Sequence, residues 1–330
     1  MTLVKHHPVL LNAVLATINP RANSIYVDGT FGGGGYSKAF LQAANCQVWG
    51  IDQDPLACER GLKISKNFKS RLKVIHGKFA DMGRLLDEQN IRAVDGIALD
   101  LGVSSFQLDD PERGFSFKKD GPLDMRMSSD GPTAADIVNE ADEDELSNII
   151  FQYGEERFSR RIASSIVKAR NTEPITRTIQ LANIIRSCQP KARKVRSLID
   201  PATRTFQALR VFINDELNEL RNGLIAAESL LNTGGRLVVV SFHSLEDRIV
   251  KTFFRDRTGG QPQTSRHLPE KRKGDFSPTF CEFDRRPTVP NLKEVGNNPR
   301  ASSARMRGAE RTAFPPWPQE KFKRKAKKFL

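Results

Sequence analysis

The first hundred residues alternate between short runs rich in β-branched and apolar residues and longer segments in which apolar residues recur at helical spacing. The short runs predict strands and the segments between them predict helices. Strand and helix alternating at this spacing are typical of βαβ units and a parallel sheet. The strands are expected at Ser24–Val27, Gln47–Ile51, Lys73–Ile75 and Val94–Leu99, and the helices at Tyr36–Ala44, Pro55–Asn67 and Ala80–Asn90.

After the fourth predicted strand this alternation stops. A loop rich in Gly, Pro and Asp leads into segments with helical periodicity alone, at Asp142–Tyr153, Glu155–Arg170 and Ile175–Ser187. A longer helix is expected from about Thr205 to Asn232, and Gly234-Gly235 then separates it from an apolar strand at Arg236–Phe242. The pattern predicts an α/β protein whose mostly parallel sheet is interrupted by a helical insertion.

The predicted organisation therefore has three parts. A discontinuous sheet domain spans 1–105 and 211–312, an inserted helical domain spans 106–210, and a basic tail spans 313–330. The length of 330 residues suits this division, because single domains of about 100–200 residues are typical. The polar, Pro-rich segment Gly259–Pro290 is expected to be a loop or to be poorly ordered.

The positive charge is concentrated in two tracts. The chain has 52 Lys and Arg against 39 Asp and Glu; residues 157–210 hold 13 against 2, and residues 248–330 hold 21 against 8. Two basic tracts on an otherwise acidic chain are typical of a protein that binds a polyanion, either nucleic acid or an anionic membrane surface. Lys321–Leu330 resembles a membrane-binding helix only faintly and also fits a solvated tail.

Three arginines in the first tract, Arg157, Arg160 and Arg161, would share one face of a predicted helix. Two interpretations of this face are open. It contacts the phosphates of a bound polyanion, or it is an ordinary surface paired with Glu155 and Glu156.

Two classes of structure are disfavoured by the sequence. No run approaches the ~18 apolar residues that cross a bilayer, so we expect a cytoplasmic protein without a membrane partner. The four cysteines are scattered without a C-x-x-C pair, which predicts neither a disulfide scaffold nor a structural zinc site.

A glycine cluster follows the first predicted strand, in Asp28-Gly-Thr-Phe-Gly-Gly-Gly-Gly-Tyr, and Asp52 closes the second strand. Glycines between a strand and a helix let the backbone come close to a ligand at the helix N-terminus, and an acid after the second strand typically binds ribose hydroxyls. NAD enzymes share this pair, but their G-x-G-x-x-G spacing fails because Ser37 stands at the third glycine. The pattern D-x-x-x-G-x-G, with Asp28, Gly32 and Gly34, resembles the first motif of S-adenosylmethionine methyltransferases.

From about His6 to Arg311 the chain resembles the ribosomal RNA small subunit methyltransferase H family. The motifs that carry this resemblance are His7-Pro-Val-Leu-Leu, Tyr26-Val-Asp-Gly-Thr-Phe-Gly, Ile51-Asp-Gln-Asp-Pro, Asp100-Leu-Gly-Val-Ser-Ser-Phe-Gln-Leu-Asp-Asp, Arg113-Gly-Phe-Ser-Phe, Gly121-Pro-Leu-Asp-Met-Arg-Met, Tyr153-Gly-Glu-Glu-Arg-Phe, Pro201-Ala-Thr-Arg-Thr-Phe-Gln-Ala-Leu-Arg, Ser241-Phe-His-Ser-Leu-Glu-Asp-Arg and Asn298-Pro-Arg. The resemblance implies a class I, Rossmann-like S-adenosylmethionine-dependent methyltransferase with an inserted helical substrate-recognition domain. It further implies methylation of the exocyclic N4 amine of a specific cytidine in bacterial 16S ribosomal RNA of the small subunit, without a metal.

The family's cofactor contacts match seven positions of this chain. The matched residues are Gly34, Gly35 and Tyr36 in the glycine loop, Asp52 at the ribose, Phe79 beside the adenine, and Asp100 and Gln107 for the remaining contacts. Two positions depart from the family pattern. Tyr36 stands where the family usually has His, so a backbone contact at this position would survive while a side-chain contact is in question. Asn12-Ala13 stand where the family usually has an acid, so any role of that acid is in question too.

The chemistry of an exocyclic cytosine amine suggests what Asp100 does. This amine is a poor nucleophile, so transfer needs acceptors that hold its N–H groups in line with the methyl group. Amino-methyltransferases usually supply them from an Asp/Asn-Pro-Pro-aromatic motif, and this chain has Asp100-Leu-Gly-Val at that position. We expect Asp100 to be the catalytic acceptor, helped by carbonyls of Leu101 or Gly102; the alternative is that Asp100 only positions the cofactor.

Other chemistries and classes have weaker support. Methylation of the cytosine ring carbon would need a Cys nucleophile, and no Cys lies between 59 and 187. His243 fits either the rim of the site or a structural turn, and Asp124 with Arg126 fits either an internal ion pair or a lid. The rival classes are an NAD dehydrogenase, a non-catalytic RNA-binding factor, and a DNA amino-methyltransferase, which would be expected to keep the Pro-Pro-aromatic motif.

Overall fold

The computed structural model describes residues 8–188, 200–259 and 277–318. The chain forms two units, one of Met1–Gly102 with Leu217–Leu330 and the other of Val103–Glu216. In the described ranges the helices are α1 Leu11–Ile18, α2 Gly35–Ala43, α3 Pro55–Ser65, α4 Met82–Asp87, α5 Ser105–Asp109, α6 Ala134–Glu140, α7 Glu143–Gly154, α8 Ser159–Arg170, α9 Thr178–Ser187, α10 Ala202–Ile213, α11 Glu216–Leu230, α12 Ser244–Arg257 and α13 Leu292–Asn297. None of these helices has the length and apolar character needed to cross a membrane.

The first unit is built on one mixed sheet. Its strands are β1 Ile25–Asp28, β2 Gln47–Asp52, β3 Leu72–His76, β4 Val94–Asp100, β5 Leu231–Ser241, β6 Phe280–Glu282 and β7 Arg305–Arg311, in the spatial order β3-β2-β1-β4-β5-β7-β6. The first five strands in this order, β3-β2-β1-β4-β5, pair in parallel, and β7 runs antiparallel to both β5 and β6. The order 3-2-1-4-5 is that of a doubly wound fold. The predicted α/β, class I fold with a mostly parallel sheet is confirmed.

Apolar side chains cover both faces of this sheet, because successive residues of a strand point to opposite sides. Val27 and Val239 belong to one buried cluster, while Tyr26, Val238 and Val240 belong to another. The strands therefore read as continuous apolar runs. That burial on both faces explains why the strand predictions agree with the structure to within one residue at most ends.

The second unit is helical in its described part. A single apolar cluster joins its helices, with Leu146, Ile150, Ile162, Ile166 and Leu181 fully buried. Side chains that satisfy backbone N–H groups start several of these helices. Thr133 and Asp136 form a capping box at α6, and the Asp142 carboxylate accepts the Glu145 N–H at 2.7 Å to start α7.

The long helix predicted from Thr205 to Asn232 is wrong, because α10 ends at Ile213 and α11 begins at Glu216. The Asn214 amide causes the break by bonding backbone outside its own helix. It accepts the Met127 N–H at 2.7 Å and donates to the Met125 carbonyl at 2.9 Å. Asp215 then takes a φ of 49°, in the left-handed region that ends helices.

Two further expectations near the sheet are wrong. Gly234-Gly235 do not stop a helix; they lie inside β5, where the pairing with β4 shifts register between Val94 and Gly96 and Gly234 takes a φ of 79°. The segment 259–290 is not all loop, since β6 lies within it. The rest of its centre, 260–276, lies outside the described residues, as do 319–330 of the predicted tail.

The boundaries of the units differ from the predicted domain boundaries. The units divide after Gly102 and after Glu216, whereas the sequence placed the insertion at 106–210. That the inserted unit recognises the substrate stays a prediction.

Candidate active site

Three acids stand where neighbouring parallel strands end. Asp28 ends β1, Asp52 ends β2 and Asp100 ends β4, and these strands are adjacent in the order β2-β1-β4. The Gly29 N–H donates to the Ala98 carbonyl at 2.9 Å. These carboxylates share the edge where ligands bind in doubly wound sheets, as the sequence predicts for Asp28, Asp52 and Asp100.

The glycine loop has the backbone conformation that only glycine adopts easily. Gly32 and Gly34 have φ values of 51° and 70°. A Cβ at Gly34 would lie 2.7 Å from the ring of Phe31, and one at Gly35 would collide with the Pro8 ring. Gly35 begins α2, whose first-turn N–H groups have no acceptor within the helix. The Gly34 N–H donates to the Phe31 carbonyl at 2.6 Å, so Gly34 shapes the turn, and a ligand can approach the main-chain donors that begin at Gly35.

The side chain of Tyr36 points into the core. It is 3% exposed, its hydroxyl donates to the Val9 carbonyl at 2.5 Å, and its ring stacks on Phe40 with centroids 6.4 Å apart. Burial, and next the charge of Asp100, raises the pKa of this phenol well above its usual value. The hydroxyl is therefore a committed donor, and the cofactor contact predicted at Tyr36 is one that its backbone alone can make.

Asp52 ties the glycine loop to the end of β2. Its Oδ2 accepts the Gly32 N–H at 2.7 Å and its Oδ1 accepts the Asp54 N–H at 2.9 Å. Burial raises the pKa of Asp52, and these two bonds oppose that rise. Each carboxylate oxygen keeps a further lone pair, so this side chain can accept from the two hydroxyls of a ribose while it holds the loop.

Asp28 and Asp100 each carry a buried oxygen without a hydrogen-bond partner in the described structure, Oδ1 in both cases. Asp28 is 1% exposed, and its other oxygen accepts from the Ser37 N–H at 3.1 Å and the Ser37 hydroxyl at 2.7 Å. Burial raises the pKa of Asp28 to about 6. Burial, together with the charges of Asp28 and Glu246, raises the pKa of Asp100 well above its usual range. Unsatisfied buried carboxylates of this kind fit a cationic ligand such as a sulfonium.

Phe79 follows β3 and is half-buried. Its ring packs against Gly223 of α11 and its Cβ lies beside Gly29, within the cluster on one face of the sheet. The core thus contacts the Cδ2–Cε2 edge of the ring. The predicted place of Phe79 beside an adenine stays a prediction.

Gln107 belongs to the other unit, in α5. Its side-chain oxygen accepts the Ser104 N–H at 2.9 Å, and its own N–H donates to the Ser104 hydroxyl at 3.3 Å. This capping box gives Gln107 a structural role. Its predicted cofactor contact remains untested.

The site also contains residues that sequence reasoning did not assign. Ser37, which disqualified the NAD motif, is the residue that holds Asp28. Glu246 is buried; its Oε2 accepts the N–H groups of Phe242 and His243 at 2.8 and 3.3 Å, and its Oε1 lies 3.2 Å from His243 Nε2. His243 therefore occupies the capping position directly before α12, as the structural-turn alternative expected. Glu246 stands three residues after His243, which is the spacing of a capping box, but His in place of Ser or Thr at the first position hides this signal in the sequence.

Comparison with known proteins agrees with the resemblance seen in the motifs. Residues 3–312 match the MraW methylase family. The chain is 53% identical over 312 residues to ribosomal RNA small subunit methyltransferase H of Paramagnetospirillum magneticum, covering 94% of this chain and 97% of that protein. It is 56% identical over 310 residues to the protein of the same name from Rhodospirillum centenum, covering 94% and 93%. The chain belongs to the MraW methylase family.

Proposed function

We propose that this chain methylates the exocyclic N4 amine of one cytidine in 16S ribosomal RNA of the small subunit, in the bacterial cytoplasm. By its family the chain is a methyltransferase, and S-adenosylmethionine is its methyl donor. The relatives' name, ribosomal RNA small subunit methyltransferase, supports the choice of substrate. Specificity for the N4 atom follows from the family resemblance and from the chemistry of the site.

The observation that carries the proposal is the pair of unpartnered, buried carboxylate oxygens of Asp28 and Asp100 beside the glycine loop. A bound sulfonium supplies an activated methyl group and a positive charge. Asp28 and Asp100 offset that charge in a region of low dielectric constant, where such an interaction is stronger than in water. The backbone of the turn at Gly34, the main-chain donor at Gly35 and the carboxylate of Asp52 complete the proposed cofactor site.

Asp100 is the proposed acceptor for the target amine. Its backbone N–H donates to the Thr30 hydroxyl at 2.6 Å, and the Leu101 N–H donates to the Val240 carbonyl at 2.9 Å, so the end of β4 is fixed to both neighbouring strands. A carboxylate held in this way aligns an N–H group of the amine without reorganising. Gly102, with a φ of 84°, turns the chain directly afterwards.

The basic tract of the inserted unit separates into structural and exposed cations. Four of its arginines are engaged within the unit: Arg177 with Asp120 at 2.9 Å, Arg186 with Asp200 at 2.8 Å, Arg210 with Glu216 at 2.8 Å, and Arg170 with the carbonyls of Val138 and Ala141 at 2.9 and 2.6 Å. These arginines stabilise the unit. They are poor candidates for phosphate contacts, because an RNA would have to displace their partners.

Arg157, Arg160 and Arg161 are exposed. The prediction that they share a helix is wrong for Arg157, because α8 begins at Ser159. Glu156 is buried, and its carboxylate accepts the Phe158 N–H at 3.0 Å. It therefore stabilises the backbone just before α8 and does not pair with the exposed arginines. We assign Arg160 and Arg161 of α8, with Arg157 just before the helix, to RNA phosphates. These three side chains are here named the α8 basic face. The remaining predicted cations at 189–199, 260–276 and 319–330 lie outside the described residues.

The proposal is tested by incubating the protein with methyl-labelled S-adenosylmethionine and small subunits from a strain that lacks the homologous enzyme. Protein-free 16S RNA and duplex DNA serve as competing substrates. Label in the small-subunit RNA supports the proposal. Label in DNA alone indicates a DNA amino-methyltransferase, and tight RNA binding without any label indicates a non-catalytic factor; either result contradicts it.

A further inference from the structure

We propose that Asp28 and Asp100 act as one proton-exchanging pair, which releases a proton when the cationic methyl donor binds and takes one up again when the target amine is methylated. The proposal rests on the proposed function, since it assumes that S-adenosylmethionine occupies this edge of the sheet. It adds a role for Asp28, which the family resemblance did not assign as a cofactor contact. It also gives the proton of the amine a destination.

The backbone holds the two carboxyls at the ends of adjacent strands. Asp28 is in register with Ala98, two residues before Asp100, in the parallel pair β1·β4. The Gly29 N–H donates to the Ala98 carbonyl at 2.9 Å, and the Asp100 N–H donates to the Thr30 hydroxyl at 2.6 Å. Each side chain has a buried Oδ1 with no hydrogen-bond partner among the described residues.

The groups that act on the pair oppose its full ionisation. Asp52 faces Asp28, Glu246 faces Asp100, and the phenol of Tyr36 is affected by both members. His243 lies next to Glu246, with its Nε2 3.2 Å from Glu246 Oε1, and is further from the pair. The carboxylate form of Asp28 is favoured by hydrogen bonds from the Ser37 N–H and hydroxyl and from the backbone of Thr30. Two neighbouring buried acids in such surroundings cannot both ionise easily, because like charges repel and burial disfavours each charge.

The raised pKa values agree with this geometry. The pKa of Asp28 is about 6 and that of Asp100 is well above its usual range. The pair without donor therefore keeps a proton to a higher pH than two exposed carboxyls would, and burial with the neighbouring charges favours the protonated form of Asp100. A cation placed beside the unpartnered oxygens lowers the pKa of both acids, and the pair releases its proton to solvent.

The proton balance closes over one methyl transfer. The bond between N4 and the methyl carbon forms while the bond between that carbon and sulfur breaks, with its electron pair staying on sulfur. Positive charge passes to the amine, which loses one proton. At the same moment the charge beside the carboxylates disappears, so the pair regains its affinity for a proton and accepts the one that N4 loses. The next donor expels it, and the net release is one proton for each methyl group transferred.

The test measures proton release on binding, without RNA and therefore without turnover. The full-length protein is titrated at pH 7 with S-adenosylmethionine, and separately with its demethylated product S-adenosylhomocysteine, in two buffers of different ionisation enthalpy. The donor is expected to release on the order of one proton more than the neutral product. The difference is expected to shrink below pH 5, where a protonated pair is retained more strongly.

Variants assign the release to the two residues. Asp28→Asn and Asp100→Asn are each expected to reduce the proton release and to lower the affinity for the donor more than that for the product. Asp87→Asn, at an acid whose side chain is 70% exposed, is the matched control and is expected to behave as the unaltered protein does. Circular dichroism and thermal unfolding check that each variant is folded.

Equal donor heats in both buffers, with normal affinity, would overturn the proton-exchanging pair and leave the proposed function intact. Failure of the folded protein to bind either compound would overturn both. Because the wild-type titrations decide between these results, the test does not depend on any variant folding.

Discussion

The Ser37 hydroxyl donates to Asp28 Oδ2 at 2.7 Å, and the Ser37 backbone N–H donates to the same oxygen at 3.1 Å. Ser37 occupies the position where a dinucleotide-binding motif would have its third glycine. A glycine there brings a helix close to a strand, whereas this serine orients a buried carboxylate. The residue that breaks the dinucleotide-binding motif thus holds an acid of the proposed S-adenosylmethionine site.

Ionised Asp28 is expected to destabilise the fold at neutral pH. Its pKa is about 6 in the folded chain against 3.8 ordinarily, so the unfolded chain gives up this proton first and stability falls as pH rises from about 4 to about 6. The loss is on the order of 3 kcal/mol above pH 6. Urea unfolding of Asp28→Asn should therefore show a larger gain in stability at pH 7.5 than at pH 5. An equal gain at both values would contradict the raised pKa.

The conformation of the glycine loop gives a matched pair of glycine substitutions. Gly34→Ala places a side chain at a φ of 70° and against Phe31, which should cost about 1–3 kcal/mol of unfolding free energy and weaken donor binding. Gly83→Ala lies within α4, with nothing within 4 Å of the new methyl group. It should stabilise the protein by roughly 0.5–1 kcal/mol and leave donor binding unchanged. Equal effects of the two substitutions in urea unfolding would show that the loop has no special conformation.

Much of the fold could be predicted because the strands of the parallel sheet are apolar on both faces. β7 could not, since Arg305–Arg311 reads as a polar segment. Two of its arginines are buried because distant partners neutralise or accept from them: Arg307 donates to Asp247 at 2.8 Å, and Arg311 donates to the Glu228 carbonyl at 3.0 Å. Such pairings have no local signal in the sequence.

The site shows the same division. Asp28, Asp52 and Asp100 could be placed together, because strand ends meet at one edge of a parallel sheet. The orientation of Tyr36 could not be predicted, since it depends on a carbonyl of Val9, 27 residues away. Gln107 was assigned through resemblance alone, and its bonds to Ser104 could be foreseen only from the S-x-x-Q spacing at the start of α5.

Tyr36→Phe should separate structure from binding. The change removes the bond to the Val9 carbonyl and leaves that buried acceptor unsatisfied, which should lower the unfolding free energy by about 1–2 kcal/mol. Donor affinity, measured by calorimetry, should change by no more than about twofold, because only the backbone of Tyr36 faces the loop. A large loss of affinity without a loss of stability would mean that the hydroxyl contacts the cofactor.

Asp100→Ala tests the proposed acceptor. With the donor at saturating concentration, the rate of transfer should fall by roughly 10²–10³, the effect typical of removing a group that acts in the transition state. Asp87→Ala, at an exposed acid, should retain the normal rate. A near-normal rate for Asp100→Ala at saturating donor would restrict Asp100 to cofactor positioning.

The α8 basic face should determine how RNA affinity depends on salt. Arg160→Gln with Arg161→Gln should weaken binding to small-subunit RNA and reduce the slope of log affinity against log salt by about 1 for each phosphate that is no longer neutralised. Arg177→Gln, which removes a cation already paired with Asp120, should leave the slope unchanged. Filter binding at several salt concentrations measures both slopes, and equal slopes for the two variants would argue against this surface.

The identity of the methylated nucleoside tests the central claim most directly. After the transfer reaction on unmodified small subunits, the RNA is digested to nucleosides and analysed by liquid chromatography with mass spectrometry, using authentic N4-methylcytidine and 5-methylcytidine as standards of equal mass. The account predicts that the label coelutes with N4-methylcytidine and comes from a single position of 16S RNA. Label in 5-methylcytidine, in a ribose-methylated nucleoside or at many positions would contradict it.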